Sequence, residues 1–344
     1  MGGMMASKAI VVTGAGGVGK TTVAAALGVK AASQGKKTLV LTVDPARRLA
    51  DALGVELGGR PRRHPELETL SAGMLDSAAS WITVARRHAD PEVADRLVTN
   101  EFFEAATIHF PASQSYAAAE EATAYIESRK WDLVVIDTPP AAGGIEFFTA
   151  PARMSELVGG RLLRLLTGGR IPGRTALFNR GAKPLLRFAD QLLGSDLLER
   201  VAQFAMDLRT TYDGVSRRSR AIEGHFRRAI TLVVTTADPA PLSEAARFFI
   251  ELPEVASAPK AVVFNRTLPA DWVGAAIPPR TPTALADNLR RWEAEAHRQR
   301  DARNGFAARF RVPLVTIPWL TEDPTDRHTL EAVVDEASAW PALW

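Results

Sequence analysis

One short motif limits what this chain can fold into more than any other feature of its sequence. Residues 14–21 read G-A-G-G-V-G-K-T, which satisfies the pattern G-x-x-x-x-G-K-[ST]. Glycines let the backbone curl so that several N–H groups point at one phosphate, and a following helix adds the positive end of its dipole. The motif follows an apolar run and precedes an Ala-rich helical segment, which is the setting that the pattern requires. The sequence therefore predicts a phosphate-binding loop.

The residues of this loop have separate expected roles. We expect the Lys20 ammonium to bind the β- and γ-phosphates of a nucleotide and to take part in catalysis, and the Thr21 hydroxyl to hold Mg²⁺. A glycine-rich turn that matches the pattern by accident is the alternative. The residues expected to contact the nucleotide here are Gly14, Gly16, Gly17, Val18, Gly19, Lys20, Thr21 and Thr22.

Short apolar runs alternate with helical segments over much of the chain. The runs are rich in β-branched residues and apolar along their whole length, as is typical of strands buried on both faces of a parallel sheet. They cover residues 9–13, 38–43, 132–136, 230–235, 261–264 and 314–317. This alternation predicts an α/β fold with a doubly wound, mostly parallel sheet, whose ligands gather at the carboxyl ends of the strands.

Two long stretches break the alternation, because their apolar residues recur with helical spacing. They cover residues 75–129 and 152–227, and we interpret them together as an α-helical subdomain inserted into the sheet domain. The nucleotide-binding core then consists of residues 8–74, 130–151 and 228–344. A chain of 344 residues is long enough for both parts.

Two aspartates end predicted strands beside the phosphate loop. Asp137 closes the run D-L-V-V-I-D, where a carboxylate commonly organises Mg²⁺ and its water ligands. Asp44 closes a neighbouring run, at the start of D-P-A-R-R-L-A-D, where a carboxylate can orient the water that attacks a phosphate. Each also has a simple structural alternative, Asp137 as a turn residue and Asp44 as a helix N-cap followed by Pro45. We expect a metal role for Asp137 and a catalytic role for Asp44.

The composition excludes several classes of site. The chain has no cysteine, which rules out disulfides, thiolate nucleophiles, iron–sulfur clusters and cysteine zinc sites. A net charge of only +3 gives no indication of nucleic-acid binding. The first residues lack the apolar stretch of a signal peptide, and no run approaches the roughly 20 apolar residues of a membrane span. A cytoplasmic protein is the expectation.

Three motifs in a fixed order resemble those of a known family. They are G-x-G-G-V-G-K-T-T, D-P-A-x-x-L-x-D and D-T-P-P, at residues 14–22, 44–51 and 137–140. In these motifs the chain resembles the arsenite-pump ATPases and the tail-anchored-protein targeting ATPases, a P-loop group with a deviant Walker A motif. Within this group it is most similar to a bacterial branch of anion-transporting-ATPase-like proteins, whose D-F-L-D-A-P-like run is matched by E-F-F-T-A-P at residues 146–151.

The resemblance implies an Mg²⁺-dependent ATP hydrolase that works as a conformational switch. Asp44 corresponds to the residue that positions water in the first switch segment, and residues 137–140 correspond to the second switch segment. The implied contacts near the adenine are Asn265, Arg266, Pro318 and Glu322. Guanine is not expected, because the sequence lacks an N-K-x-D run after a strand.

Three departures change what the resemblance implies. Dimeric members carry a lysine at the second loop position that reaches the partner's phosphates, and here that position is Ala15. A nucleotide-sandwich homodimer therefore needs another cation, for which Arg47 and Arg48 are candidates. The lack of cysteine removes the metalloid site of the arsenite pumps and the zinc clasp of the targeting dimers, so arsenite is not expected as a ligand. The chain also has one phosphate loop, whereas the arsenite pumps have two.

A basic and apolar segment is the candidate partner surface. Residues 157–189 contain no acidic residue, and their basic residues alternate with Leu, Ile and Phe. The resemblance implies a groove for an apolar helix of a client protein. Peripheral contact with an anionic membrane surface and a plain packed helical subdomain are the alternatives.

Two other functions stay open at this point. A non-catalytic ATP-binding regulator is compatible with Ala15, because the missing lysine is a catalytic group in the family. A partition or septum-positioning ATPase shares the phosphate loop, but it predicts a DNA-binding or membrane-binding C-terminus, and residues 336–344 hold no basic residue.

Overall fold

The computed structural model of the chain is built around a mostly parallel β-sheet. It describes residues 7–44, 48–75, 77–103, 111–139, 142–159, 195–338 and 340–344. Within these ranges the strands are β1 (Lys8–Gly14), β2 (Thr38–Thr42), β3 (Arg62–Arg63), β4 (Leu70–Met74), β5 (Leu133–Asp137), β6 (Ile230–Thr235), β7 (Ala261–Thr267) and β8 (Leu314–Pro318). They lie in the order β3-β4-β2-β5-β1-β6-β7-β8, and every neighbouring pair is parallel except β3 with β4.

Helices cover both faces of this sheet. The described helices are α1 (Lys20–Ser33), α2 (Arg48–Leu53), α3 (Ser77–His88), α4 (Pro91–Val98), α5 (Pro111–Glu127), α6 (Ala142–Gly159), α7 (Ser195–Thr210), α8 (Tyr212–Arg228), α9 (Pro239–Val255), α10 (Thr283–Phe310) and α11 (Arg327–Asp335). Ile10 and Val12 of β1 share a core with α1, whereas Val11 points to the opposite face, and all three are fully buried. The predicted doubly wound α/β fold is confirmed.

Two of the strands do not correspond to any predicted apolar run. Six strands coincide with the predicted apolar runs, but β3 and β4 do not appear in the prediction. The sequence of β4 is L-S-A-G-M, in which Ser71 and Gly73 interrupt the apolar pattern. Its first four residues are nevertheless buried, because β4 pairs with β2 on one side and with β3 on the other. Strand pairing here outweighs local β-propensity.

Helix α1, which follows the phosphate loop, packs closely against the sheet. Ten of its 14 residues are buried, and most of these are alanine, glycine or valine. A Cβ atom at Gly28 would lie 2.2 Å from Val40 Cγ2 on β2, so only glycine fits at this crossing. On its other side α1 is bonded to α11 through Lys30 Nζ and Asp335 Oδ2, 2.8 Å apart. The second half of α1 is therefore held against β2 on one side and α11 on the other.

The chain divides into two compact units. One unit contains Met1–Leu75, Ala122–Phe148 and His225–Trp344 and carries the sheet. The other unit contains Asp76–Glu121 and Thr149–Gly224, and its described elements are all helical.

Three of the four boundaries between the units fall inside helices. They lie after residues 121, 148 and 224, whereas the sequence analysis places the corresponding boundaries after residues 129, 151 and 227. The helical period continues across each of these points, so the local sequence does not mark them. The division into a nucleotide-binding core and a helical subdomain with a separate task remains a prediction.

The helical unit has its own aromatic and polar interior. The rings of Trp81 and Tyr116 pack with centroids 5.6 Å apart. Glu120 is buried between them and α8, where it accepts hydrogen bonds from Arg87 and Arg218. A buried carboxylate needs such partners, since an unpaired charge is costly away from water.

The candidate partner segment cannot be placed in this unit. Most of residues 157–189 lie outside the described residues, which stop at residue 159 and resume at residue 195. Among the described helices, none combines the length and the apolar content that crossing a membrane requires.

Candidate nucleotide-binding site

The phosphate loop is formed by glycines in conformations that other residues rarely adopt. Gly14 ends β1 with a φ of 143°, and a Cβ atom there would lie 2.0 Å from the carbonyl oxygen of Val234 on β6. Gly19 precedes α1 with a φ of 93°. No residue in the first turn of α1 is acidic, so the positive end of the helix dipole is not neutralised there. The loop therefore presents its N–H groups and a positive potential to an anion.

The Lys20 side chain folds back over this loop. Its Nζ donates a hydrogen bond to the carbonyl oxygen of Ala15 at 2.6 Å, and the residue is only 6% exposed. Burial lowers the pKa of Lys20, while the nearby Asp137 carboxylate opposes this shift. A phosphate in the loop would favour the charged form of Lys20, because it would add a further anion beside this buried ammonium.

Asp137 lies where three elements of the site meet. It ends β5 and is aligned with Val12 of β1 on one side and with Thr42 of β2 on the other. Its Oδ2 accepts hydrogen bonds from Thr21 Oγ1 at 2.8 Å and from Thr42 Oγ1 at 3.0 Å. Burial raises the pKa of Asp137 to about 6, although both hydroxyl hydrogen bonds and Lys20 oppose this shift.

The arrangement of Thr21 and Asp137 fits a divalent cation. Asp137 Oδ1 is buried and has no hydrogen-bond partner among the described residues. The Thr21 hydroxyl donates its hydrogen to Asp137, which leaves the oxygen lone pairs of Thr21 for a metal. In the described ranges no group of three or more His, Asp or Glu side chains could hold a metal alone. A cation here must complete its ligands from phosphate and water oxygens, as Mg²⁺ commonly does.

The segment with Asp44 is tied to the same carboxylate. The backbone N–H of Asp44 donates to Thr42 Oγ1 at 3.2 Å, and the N–H of Val43 donates to the carbonyl oxygen of Asp137 at 3.2 Å. The Asp44 side chain is 17% exposed, and its Oδ2 lies 3.9 Å from Nη1 of Arg48. Residues 45–47 lie outside the described residues, so the expectations for Pro45 and Arg47 are not addressed by the structure.

A cleft of about 400 Å³ brings half of the predicted residues together. Its lining residues are Gly17, Gly19, Lys20, Thr21, Thr22, Asp44, Arg48, Asp51, Ala52, Thr138, Arg266, Pro324 and Thr325. The predicted residues that do not line it are Gly14, Gly16, Val18, Asp137, Asn265, Pro318 and Glu322. Pro324 and Thr325, which were not predicted, do line it, just before the capping box in which Asp326 and Thr329 start α11. The run D-P-T-D at residues 323–326 is the signal that sequence reasoning overlooked.

Asn265 reaches the phosphate loop directly. Its Nδ2 donates to the carbonyl oxygen of Val18 at 2.8 Å, and its Oδ1 accepts the N–H of Arg266 at 2.9 Å. Arg266 has a φ of 55°, which is uncommon for a residue with a side chain. A Cβ atom at Gly19 would lie 2.3 Å from Asn265 Nδ2. The end of β7 and the loop are thus packed too closely for any residue larger than glycine.

This close packing predicts different effects for two glycine substitutions. Gly19→Ala combines backbone strain with the collision against Asn265, whereas Gly17→Ala, with a φ of 75°, has nothing within 4 Å of its new Cβ. We expect Gly17→Ala to lower the free energy of unfolding by about 1–2 kcal/mol, through backbone strain alone. Gly19→Ala should in addition weaken nucleotide binding at least roughly tenfold, which corresponds to about 1.4 kcal/mol. Titration calorimetry with ATP checks this, and equal affinities of the two variants would contradict it.

Comparison with known proteins places this site in a family. Residues 7–275 match the model of the family described as anion-transporting ATPase. This chain belongs to the anion-transporting ATPase family. The matched residues include the phosphate loop, Asp44, Asp137 and Asn265. The resemblance drawn from the three sequence motifs is therefore confirmed.

Several curated relatives of this family member carry related names. It is 30% identical to ATPase get3 of Schizosaccharomyces pombe over 152 residues, which is 44% of this chain and 46% of the relative. It is 28% identical to ATPase ASNA1 homolog 2 of Paramecium tetraurelia over 43% of this chain and 46% of that protein. It is 31% identical to a putative arsenical pump-driving ATPase of Halobacterium salinarum over 46% of this chain and 26% of that protein. The chain thus spans about half or less of these relatives.

Proposed function

We propose that this family member is an Mg²⁺-dependent ATP hydrolase that acts as a nucleotide-driven conformational switch. The observation that carries the proposal is the pairing of Thr21 and Asp137 at the foot of the phosphate loop, with Asp137 Oδ1 buried and unpartnered among the described residues. Both residues sit where a triphosphate bound in the loop would bring a metal. The names of the family and of its relatives support the same activity.

Binding of ATP draws on groups that are held ready in the structure. The glycine backbone and the start of α1 receive the phosphates, and Lys20 exchanges its bond to the Ala15 carbonyl oxygen for phosphate oxygens. Thr21 and Asp137 would hold Mg²⁺, which would neutralise charge on the β- and γ-phosphates. Asn265 keeps one N–H and one oxygen lone pair for the adenine, while its other N–H stays on Val18.

Hydrolysis requires a group that orients water, and Asp44 is the candidate. Its carboxylate lines the cleft that contains the phosphate loop. It accepts a hydrogen bond from a water molecule, whose oxygen attacks the γ-phosphorus while the bond to the β–γ bridging oxygen breaks. The products are ADP and phosphate. Arg48, whose guanidinium approaches Asp44, stays a candidate for the cation that Ala15 does not supply.

The switch acts on a partner through the helical subdomain. Thr138 and the segment after Asp44 line the cleft, so loss of the γ-phosphate removes contacts from both switch segments. We propose that the resulting change captures or releases an apolar helix of a client protein or an anionic membrane surface, with residues 157–189 as the contact. A homodimer is part of this proposal, as is a cytoplasmic location with peripheral membrane contact.

Hydrogen–deuterium exchange tests the switch. We expect the ATP-bound and ADP-bound states to differ several-fold in amide exchange within residues 75–129 and 152–227, because the switch segments change the stability of the helical subdomain. Lys20→Ala is the control, since it removes the phosphate contact and should give the same exchange with either nucleotide. Identical exchange of the wild type in both states would contradict the switch.

A non-catalytic nucleotide-binding regulator is the second candidate. The observation that favours it is Ala15, which is buried and contributes only its carbonyl oxygen to Lys20. Such a protein would bind ATP and Mg²⁺ with the same residues but would release no phosphate.

A further inference from the structure

The hydroxyl of Thr42 joins the two halves of this site. Thr42 is the last residue of β2 and is 1% exposed. Its Oγ1 donates a hydrogen bond to Asp137 Oδ2 at 3.0 Å and accepts one from the backbone N–H of Asp44 at 3.2 Å. One oxygen atom therefore bonds both to the carboxylate at the metal position and to the backbone of the residue placed to orient water.

The bonding capacity of Thr42 matches this position closely. A hydroxyl is the smallest neutral group that donates and accepts at one atom, and a buried N–H or carboxylate left without a partner is costly. The parallel register places Thr42 beside Asp137, and the branched side chain of threonine favours few rotamers in a strand. The direction of the hydroxyl is thus determined by the backbone of β2.

We propose that Thr42 is a positioning residue that couples Mg²⁺ at Asp137 to the placement of Asp44. Thr42 touches neither the nucleotide nor the attacking water in this account, so it acts only through its two neighbours. The proposal rests on the proposed function, because it assigns the metal to Asp137 and the water to Asp44. Partners that orient a metal ligand typically change metal affinity or activity by about 10–100-fold when they are removed.

Three substitutions separate coupling from general structure. Thr42→Val keeps the shape and the branching but has no hydroxyl, while Thr42→Ser keeps the hydroxyl. Thr38→Val is the matched control, because Thr38 is a fully buried threonine on the same strand whose Oγ1 donates to the carbonyl oxygen of Lys36 instead.

We expect Thr42→Val to lower kcat by about 10–100-fold and to weaken the Mg²⁺ dependence of ATP binding, with little change in ATP affinity measured in EDTA. Thr42→Ser should stay within about threefold of the wild type in each measurement, and Thr38→Val should match the wild type. A Thr42→Val variant with wild-type kcat and wild-type Mg²⁺ dependence overturns the proposal. An equal loss of kcat in Thr38→Val also overturns it, since the effect would then follow from removing any buried threonine hydroxyl of β2.

Amide exchange in the metal-free protein gives a readout that needs no turnover. We expect the Asp44 amide to exchange at least roughly tenfold faster in Thr42→Val than in the wild type or Thr38→Val, because its acceptor has gone. Unchanged exchange overturns the proposal. If the wild type binds Mg²⁺ and ATP but releases no phosphate, the proposed function fails, while the exchange rate and the Mg²⁺ dependence of binding still decide the role of Thr42.

Discussion

Asp137→Asn is expected to abolish Mg²⁺-dependent ATP turnover, by at least about 100-fold, and to remove a pH dependence from the stability of the metal-free protein. Asparagine keeps the size of the side chain but carries no charge to hold a divalent cation. Adding Mg²⁺ to ATP should therefore raise the unfolding temperature of the wild type above its value with ATP in EDTA, and this increment should be almost absent in the variant.

The direction of the pH effect follows from the pKa of Asp137. Burial raises this pKa from 3.8 to about 6, so the folded protein binds the proton more tightly than the unfolded chain does. Protonation of Asp137 therefore stabilises the folded state by about 3 kcal/mol. This stabilisation is complete below pH 3.8 and is lost as the pH rises through 6. Asn at this position does not titrate.

Urea unfolding in EDTA between pH 4.5 and pH 8 measures this effect. We expect the free energy of unfolding of the wild type to fall relative to that of Asp137→Asn as the pH rises across this range. Taking the difference between the two proteins removes the contribution of the other carboxylates, which titrate in both. A difference that stays constant over the whole range would show that burial does not destabilise the charged carboxylate form of Asp137.

Asp44→Asn is expected to keep ATP binding and to lose turnover. The amide has the shape of the carboxylate, and the backbone N–H of residue 44 can still donate to Thr42. It is a much weaker acceptor for the hydrogen of the attacking water, and removing such a group typically costs about 10²–10⁴ in rate. Lys20→Ala is the matched control, because it should lose affinity for ATP itself. Calorimetric titration with ATP beside single-turnover hydrolysis separates the two effects.

The sequence predicted the parts of this site that lie close together along the chain. The phosphate loop needs only residues 14–22, and its glycines, lysine and threonines have fixed spacing. The positions of Asp44 and Asp137 could also be predicted from the sequence, because each ends an apolar run and the carboxyl ends of parallel strands meet at one edge of a sheet. β2 and β5 are indeed neighbours on one side of β1.

Contacts between distant segments could not be predicted from the sequence in this way. The role of Thr42 depends on the register that places it beside Asp137, 95 residues further along the chain, and a threonine at a strand end carries no signal of its own. The packing of Asn265 against Gly19 depends in the same way on where β7 ends. That Pro324 and Thr325 line the cleft depends likewise on the path of the chain after β8, which the apolar pattern does not show.

Strand β4 was not predicted for a related reason. Its sequence contains Ser71 and Gly73, so the apolar run is too short to stand out, and its position beside β2 provides the burial. The edge strand β3 consists of two exposed arginines and gives no pattern at all. Local sequence therefore predicted the six neighbouring strands from β2 to β8 in the order of the sheet and missed the two at the opposite edge.

Phosphate release at saturating ATP and Mg²⁺, measured for the wild type beside Asp44→Asn, decides whether this site hydrolyses ATP. If the site hydrolyses ATP as proposed, the wild type releases phosphate over many turnovers, and Asp44→Asn binds ATP with similar affinity but releases phosphate at least about 100-fold more slowly. If the wild type binds ATP and releases phosphate no faster than Asp44→Asn, the site does not catalyse hydrolysis, and the protein is a nucleotide-gated binding protein instead.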